Sequence, residues 1–148
     1  MEFHIFKNAF TLAELLVIIG IISALTLFAV PALRTFQPTL QLSSIVQEVV
    51  GDLRYAQQLT VTEQKEHCLQ FFPTDKKYQL KKCEGEIIKE KIFPKEIESF
   101  LVSGFADNEV RYNPYGAVKE AGTIILENTK NEIKIISVKA SGFIDVTD

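Results

Sequence analysis

From Leu15 to Leu33 the chain runs for nineteen residues without a formal charge. As an α-helix, that run spans about 28 Å at 1.5 Å per residue, close to the hydrocarbon thickness of a bilayer. The run is apolar all round, so a helix buried in a soluble core would need apolar neighbours on every side. A chain of 148 residues has little left with which to wrap it. A secretory signal peptide is a second reading, with Lys7 as the basic flank and Val30-Pro31-Ala32 as a small-residue cleavage site. Glu14 speaks against it: a carboxylate inside an apolar helix costs roughly 2.5–3.5 kcal/mol at mid-membrane, less near an end. A segment that is discarded has no use for that cost.

A third reading gives the carboxylate a purpose. A cut between Ala9 and Phe10 creates an α-amine on Phe10, one helical turn before Glu14. The amine of a neighbouring subunit would then pair with Glu14, because either charge left alone in low dielectric is costly. On this reading the carboxylate is under-satisfied in a lone subunit and satisfied in a staggered bundle, so it sets register.

The stretch Ala9-Phe10-Thr11-Leu12-Ala13-Glu14-Leu15, followed by the apolar run and Pro31, resembles the class III signal of type IV pilins and type II secretion pseudopilins. The resemblance implies a leader over residues 1–9, removed by a membrane-embedded prepilin peptidase. It also implies N-methylation of Phe10, with Phe10 and Glu14 carrying assembly. It places the protein in the cytoplasmic membrane as a single-pass subunit with its head on the extracytoplasmic side. The expected partners are other pilins or pseudopilins in a helical filament and an inner-membrane assembly platform. Where the family usually has glycine before the cut, this chain has Ala9.

The helix is expected to continue past the apolar run. Leu42, Ile45, Val46, Val49, Leu53, Ala56 and Leu59 recur at intervals of three and four, with Gln47, Glu48, Asp52, Arg54 and Gln58 on the other side. The pattern predicts one helix from about Phe10 to about Glu63, with 10–37 as its membrane and assembly half and 38–148 as a globular head. Pro31 and Pro38 lack the amide donor and are expected to kink it.

Beyond Cys68 the pattern turns to short runs rich in Ile, Val, Phe and Tyr. They predict strands at 68–72, 77–82, 87–93, 97–102, 110–112, 123–127, 133–138 and 143–146, separated by Pro73-Thr74-Asp75-Lys76, Asn113-Pro114-Tyr115-Gly116, Asn128–Asn131 and Ser141-Gly142. The fold class is α+β: a long N-terminal helix packed on an antiparallel β-sheet head. Leu53–Gln58, Tyr112–Gly116, Gly122–Leu126 and Ser141–Ile144 resemble loosely the pseudopilin H and FimT-like minor pilins, and the D-type minor pilin of Gram-positive competence pseudopili.

Cys68 and Cys83 flank the first predicted hairpin. A turn centred on Asp75 and Lys76 sets them directly opposite each other, within disulfide reach, and an extracytoplasmic head permits oxidation. The alternative is two small buried apolar residues. His67, Cys68 and Cys83 lack further ligands at metal-site spacing, so no metal or other cofactor is expected. With two histidines, one of them His4 in the leader, and no Gly-rich phosphate loop, the chain shows no enzyme. Lys76, Lys77, Lys81 and Lys82, with Lys89, Lys91 and Lys95 further on, are a candidate DNA contact, with Tyr112 and Tyr115 as candidate stacking residues. Glu84, Glu86 and Glu90 interleave with these lysines and weaken phosphate attraction, so a solvated strand face is the preferred reading. The net charge of −3 offers no bulk case for nucleic acid.

Overall fold

The computed structural model describes residues 10–147. Ala9 and the predicted leader lie outside the described residues. One α-helix, α1, runs from Leu12 to Glu63 without interruption at Pro31 or Pro38. The chain divides into two compact units, with the division between Phe36 and Gln37.

In the first unit, the segment Leu12–Pro31 is long and apolar enough to cross a membrane, and none of it is buried. Hydroxyl side chains in and just after it turn back onto the helix. The hydroxyls of Ser23, Thr26 and Thr35 donate to the carbonyls four residues earlier, at 2.8, 2.8 and 3.1 Å. The Thr35 bond serves the Pro31 carbonyl.

In the second unit, the predicted stripe of α1 is the buried face: Leu42, Ile45, Val46, Val49, Leu53 and Ala56 are all at most 4% exposed. The helix stops where Gln64 takes a left-handed conformation (φ 53°). Thr60 ties off the end. Its hydroxyl donates to the Ala56 carbonyl at 2.9 Å and accepts the His67 amide at 3.1 Å.

Eight strands follow: β1 (His67–Phe72), β2 (Lys77–Lys82), β3 (Ile87–Ile92), β4 (Ile97–Ser103), β5 (Glu109–Tyr112), β6 (Gly122–Asn128), β7 (Ile133–Val138) and β8 (Ile144–Thr147). Each coincides with a predicted run to within a residue or so. They form two four-stranded sheets, ordered β3-β2-β1-β5 and β4-β6-β7-β8, antiparallel throughout. The division into two sheets was not visible from periodicity, which reports the pleat of each strand and not its neighbours. An aromatic cluster joins them. Phe71 packs on Tyr78 (5.8 Å between ring centroids) and on Phe100 of the second sheet (5.7 Å), and Phe93 packs on Phe100 edge-on at 4.8 Å.

The turns fix the registers. Asn128 closes the β6–β7 hairpin, with its side-chain oxygen accepting the amides of Lys130 and Glu132 at 2.9 and 3.0 Å. Glu132 then accepts the Thr39 hydroxyl at 3.0 Å, which fastens this hairpin to α1. At the other end of the sheet the Asn113–Gly116 turn, the Gly142 turn and α1 converge. The Gln57 side chain donates to the Gly116 carbonyl at 2.7 Å. A Cβ on Gly142, whose φ is 82°, would come within 2.3 Å of the Gly116 carbonyl oxygen, so glycine is required there.

Candidate functional site

The start of α1 is organised by its own residues. Thr11 occupies the cap position. Its amide and its hydroxyl each donate to one carboxylate oxygen of Glu14 at 2.9 Å, and its hydroxyl accepts the Glu14 amide at 3.2 Å. This reciprocal arrangement is a capping box, and its signature Thr-x-x-Glu stands in the sequence at 11–14. The Glu14 carboxylate thus has two hydrogen-bond donors within its own chain, both from Thr11 and neither of them a cation. Helix starts leave amides without partners, and Glu14 meets one donor of that kind while Thr11 meets another. Phe10 is exposed immediately before the cap. Ala9, the other half of the predicted cleavage site, lies outside the described residues.

The disulfide between Cys68 and Cys83 is formed, with its Cα atoms 5.1 Å apart. The register expected for it is corrected by two residues. Phe72 pairs with Lys77, and Cys68 faces Lys81 rather than Cys83. The cause is the turn. It takes all four residues Pro73–Lys76, closes with the Lys76 amide on the Pro73 carbonyl at 3.3 Å, and places Lys76 at φ 47°. The turn centre thus lies one residue earlier than assumed. Cys83 stands opposite Glu66, whose carbonyl accepts its amide at 3.1 Å. The disulfide is a diagonal link between same-face positions, which lie within reach of each other. His67 points the opposite way from Cys68, as adjacent strand residues do. It is buried against α1, with Nδ1 2.9 Å from the Lys65 carbonyl oxygen. The two sulfurs and a Glu109 carboxylate oxygen gather within 4.8 Å, but the disulfide leaves no thiolate to bind a metal.

The four lysines proposed for DNA do not form one surface. Lys77 pairs with Glu90 (3.2 Å) and covers the Phe72 ring, Lys81 pairs with Glu109 (3.1 Å), and Lys82 pairs with Glu63 at the end of α1 (3.2 Å). Lys76 donates to the Ile97 carbonyl at 3.0 Å. Lys77 and Lys81 lie on the outer face of β2, whereas Lys82 alternates to the other side. Nearby, Glu63 is held below the ordinary carboxylate range mainly by the Lys82 hydrogen bond. Glu90 is held below it by bonds from Gln79 and Lys77. These acids are thus ionised partners that neutralise the cations locally. The two candidate stacking residues separate as well: Tyr112 is fully buried and Tyr115 is 93% exposed.

A polar network that the sequence reading did not identify locks α1 to the first sheet. Tyr78 is fully buried and donates to Asp52 at 2.6 Å. Lys89 on edge strand β3 donates to the same carboxylate at 2.7 and 3.0 Å and to Glu48 at 3.3 Å. Lys91 reaches Glu48 at 3.0 Å. Burial, then the bond to Asp52, pushes the Tyr78 phenol well above its usual value, so it stays a donor. The sequence pattern places Asp52 on the polar side of α1, and the structure corrects this: Asp52 is only 9% exposed. Its partners lie 26 and 37 residues away, beyond the reach of any periodicity.

A helix that begins with an exposed apolar segment and ends against a two-sheet antiparallel head is the fold of type IV pilins and pseudopilins. The chain is similar to the type IV minor pilin FimU of Pseudomonas aeruginosa strain PAO1, with a TM-score of 0.63 at 13% identity over 76% of this chain and 92% of that one. It is also similar to the minor pseudopilin EpsH from the type 2 secretion system of Vibrio cholerae, with a TM-score of 0.58 at 8% identity over 72% and 96% of the two chains. No family model and no curated sequence matches the chain.

Proposed function

We propose that this chain is a minor pilin or pseudopilin: a non-enzymatic subunit of a type IV pilus-like, type II secretion or competence filament. The observation that carries the proposal is the combination of a pilin-type head with a membrane-length helix whose apolar surface, from Leu12 to Pro31, has no partner within the described residues of the chain. In a subunit awaiting assembly, lipid covers that surface. In a filament, the same segments of neighbouring subunits replace the lipid. Prepilin peptidase cuts between Ala9 and Phe10, and the new amine on Phe10 is N-methylated. Pro31 and Pro38 are the points where α1 bends to fit the bundle.

The capping box refines the role of Glu14. Before assembly its carboxylate is held by Thr11, which lowers the cost of carrying it into lipid. On docking, the charged amine of a neighbour offers a stronger partner than a neutral hydroxyl, and the carboxylate passes from one to the other. Three variants test this by measuring incorporation into sheared filaments: Glu14→Val, Glu14→Gln and Thr11→Ala. All three are expected to be cleaved. Glu14→Val and Glu14→Gln should lose incorporation because neither offers an anion, and Thr11→Ala should retain much of it. Wild-type levels of Glu14→Gln in filaments would refute the charge-transfer role. The alternative is a head that binds DNA or an exported protein at the filament tip; its DNA form has less support, because each of the four candidate lysines is already engaged.

A further inference from the structure

The Cys68–Cys83 disulfide joins two unlike positions. Cys68 stands inside β1, fully buried, with Lys81 of β2 and Arg111 of β5 as its partners on either side. Cys83 lies just past the end of β2, in the 83–86 connection to β3, and is partly exposed. An open pocket of about 500 Å³ adjoins it, walled by Lys65, Glu66, Lys82, Glu84 and Gly85. A side chain at position 85 would meet only the Lys82 Cβ, at 3.8 Å, so the glycine leaves the approach to Cys83 open. Burial denies Cys68 the same approach.

Charged groups gather around the buried sulfur. Lys81 and Arg111 share the face of Cys68, as register partners do. Both donate to Glu109, at 3.1 and 3.0 Å, and a Glu109 carboxylate oxygen lies within 4.8 Å of both sulfurs. Lys81 also donates to Gln70 at 2.7 Å, and Arg111 reaches Glu66 at 3.4 Å. Negative charge on Cys68 would thus form beside two cations, with Glu109 between them and Glu66 beyond. Cations beside a cysteine favour its thiolate, and a neighbouring carboxylate opposes it. The two sides also differ in what holds them. Ladder pairs fix Cys68 from β2 and from β5, whereas Cys83 sits in a turn, its amide donating to the Glu66 carbonyl at 3.1 Å.

We propose that this disulfide is a thiol–disulfide exchange site, attacked at Cys83 by a dithiol donor that enters through the pocket, with Cys68 as the sulfur that leaves. Disulfides open by thiolate attack on one sulfur. The donor's first thiolate forms a bond to Cys83 Sγ, the Cys68–Cys83 bond breaks, and its electron pair leaves on Cys68 Sγ beside Lys81 and Arg111. The donor's second thiolate then takes the first sulfur back and expels Cys83 as a thiolate. Two electrons pass from the dithiol, which becomes a disulfide, and water supplies the protons for the two protein thiols. A monothiol does this poorly. Cys68 stays in its strand, Cα 5.1 Å from that of Cys83, and re-attacks the mixed disulfide before a second monothiol arrives. Opening the bond frees the 83–86 connection and leaves the β1 ladder in place. This inference rests on the head alone and does not depend on the membrane reading.

The test uses the oxidised full chain in detergent micelles, without denaturant. The probes are reduced glutathione and the peptide acetyl-Cys-Gly-Pro-Cys-amide at equal total thiol. Acid quenching, alkylation of free thiols and peptide mass mapping read the products. Brief exposure to glutathione should place glutathione on Cys83 and leave Cys68 free for alkylation. The dithiol peptide should reduce at least about ten-fold more of the bond, because its second thiol acts intramolecularly. Near-ultraviolet dichroism should show the head still folded after reduction. Lys81→Gln should slow the opening and Glu109→Gln should speed it, each by up to about five-fold, the size of a partly exposed charge pair. A merely structural role for these two residues would not give opposite signs. Glutathione found on Cys68, a bond that opens only in urea, equal reduction by the two probes, or charge variants that leave the rate unchanged or shift it in the same direction would each overturn the proposal.

Discussion

Replacing Tyr78 by phenylalanine removes one oxygen from the centre of the head and leaves its ring contacts in place. The ring packs on Phe71 and Phe93 at 5.8 and 5.6 Å, and phenylalanine preserves both contacts. What is lost is the hydroxyl donor to Asp52 at 2.6 Å. A hydrogen bond to a charged acceptor contributes about 1.5–3 kcal/mol. Asp52 keeps Lys89 at 2.7 and 3.0 Å, so the carboxylate is not orphaned and the loss should fall near the bottom of that range, about 1.5 kcal/mol. Asp52→Ala is a different perturbation. It strands the Tyr78 hydroxyl in a fully buried position and removes one of the two acids facing Lys89. Its cost should be at least about 3 kcal/mol, because an unpaired buried donor carries its whole desolvation penalty. Urea titration of the full chain in mild detergent, followed by near-ultraviolet tyrosine dichroism, measures both. A Tyr78→Phe variant as stable as wild type, or an Asp52→Ala variant no worse than Tyr78→Phe, would refute the claim that this network pins α1 to the first sheet.

Reduction of the Cys68–Cys83 disulfide, which spans 15 residues of sequence, should lower head stability by about 3 kcal/mol through the unfolded chain's regained freedom; urea midpoints with and without a phosphine reductant check this. Glu48, Glu63, Glu90 and Glu132 all ionise below the ordinary carboxylate value of 4.5 in the folded head. For Glu48, burial works against ionisation and is outweighed by hydrogen bonds from Lys91 and Lys89, and for Glu132 the bonds from Thr39 and Asn128 dominate. Folding favours the ionised forms, so their stabilisation is present above pH 4.5 and is lost as pH falls through the lower folded values. Thermal midpoints should hold level from neutral pH to about pH 5 and then fall; a midpoint that rises on acidification would contradict these assignments.

The elements of this head were legible in the sequence because each carries its own signal. Alternating runs such as Lys77–Lys82, with Tyr78 and Leu80 inward, announce strands, and the stripe from Leu42 to Ala56 announces a one-faced helix. Register was less legible. The Cys68–Cys83 pairing was anticipated from a hairpin whose centre was misplaced by one residue, and the link formed because a diagonal neighbour is also within reach. The Thr11–Glu14 box is legible as Thr-x-x-Glu at the head of the helix, where the same glutamate also reads as a charge in lipid. What could not be read is anything set by elements distant in the chain, such as Asp52 with Tyr78 and Lys89, or Lys82 with Glu63. Charge clusters in a strand say little until the acids brought opposite them are known.

The central claim is that the N-terminal segment is processed for filament assembly, and the intact mass of the protein purified from membranes tests it most directly. The account predicts a chain that begins at Phe10, carries one added methyl group on its amine, and lacks residues 1–9. A protein that retains Met1, or one cut after Ala32 and released from the membrane, from cells that process other pilins would contradict it.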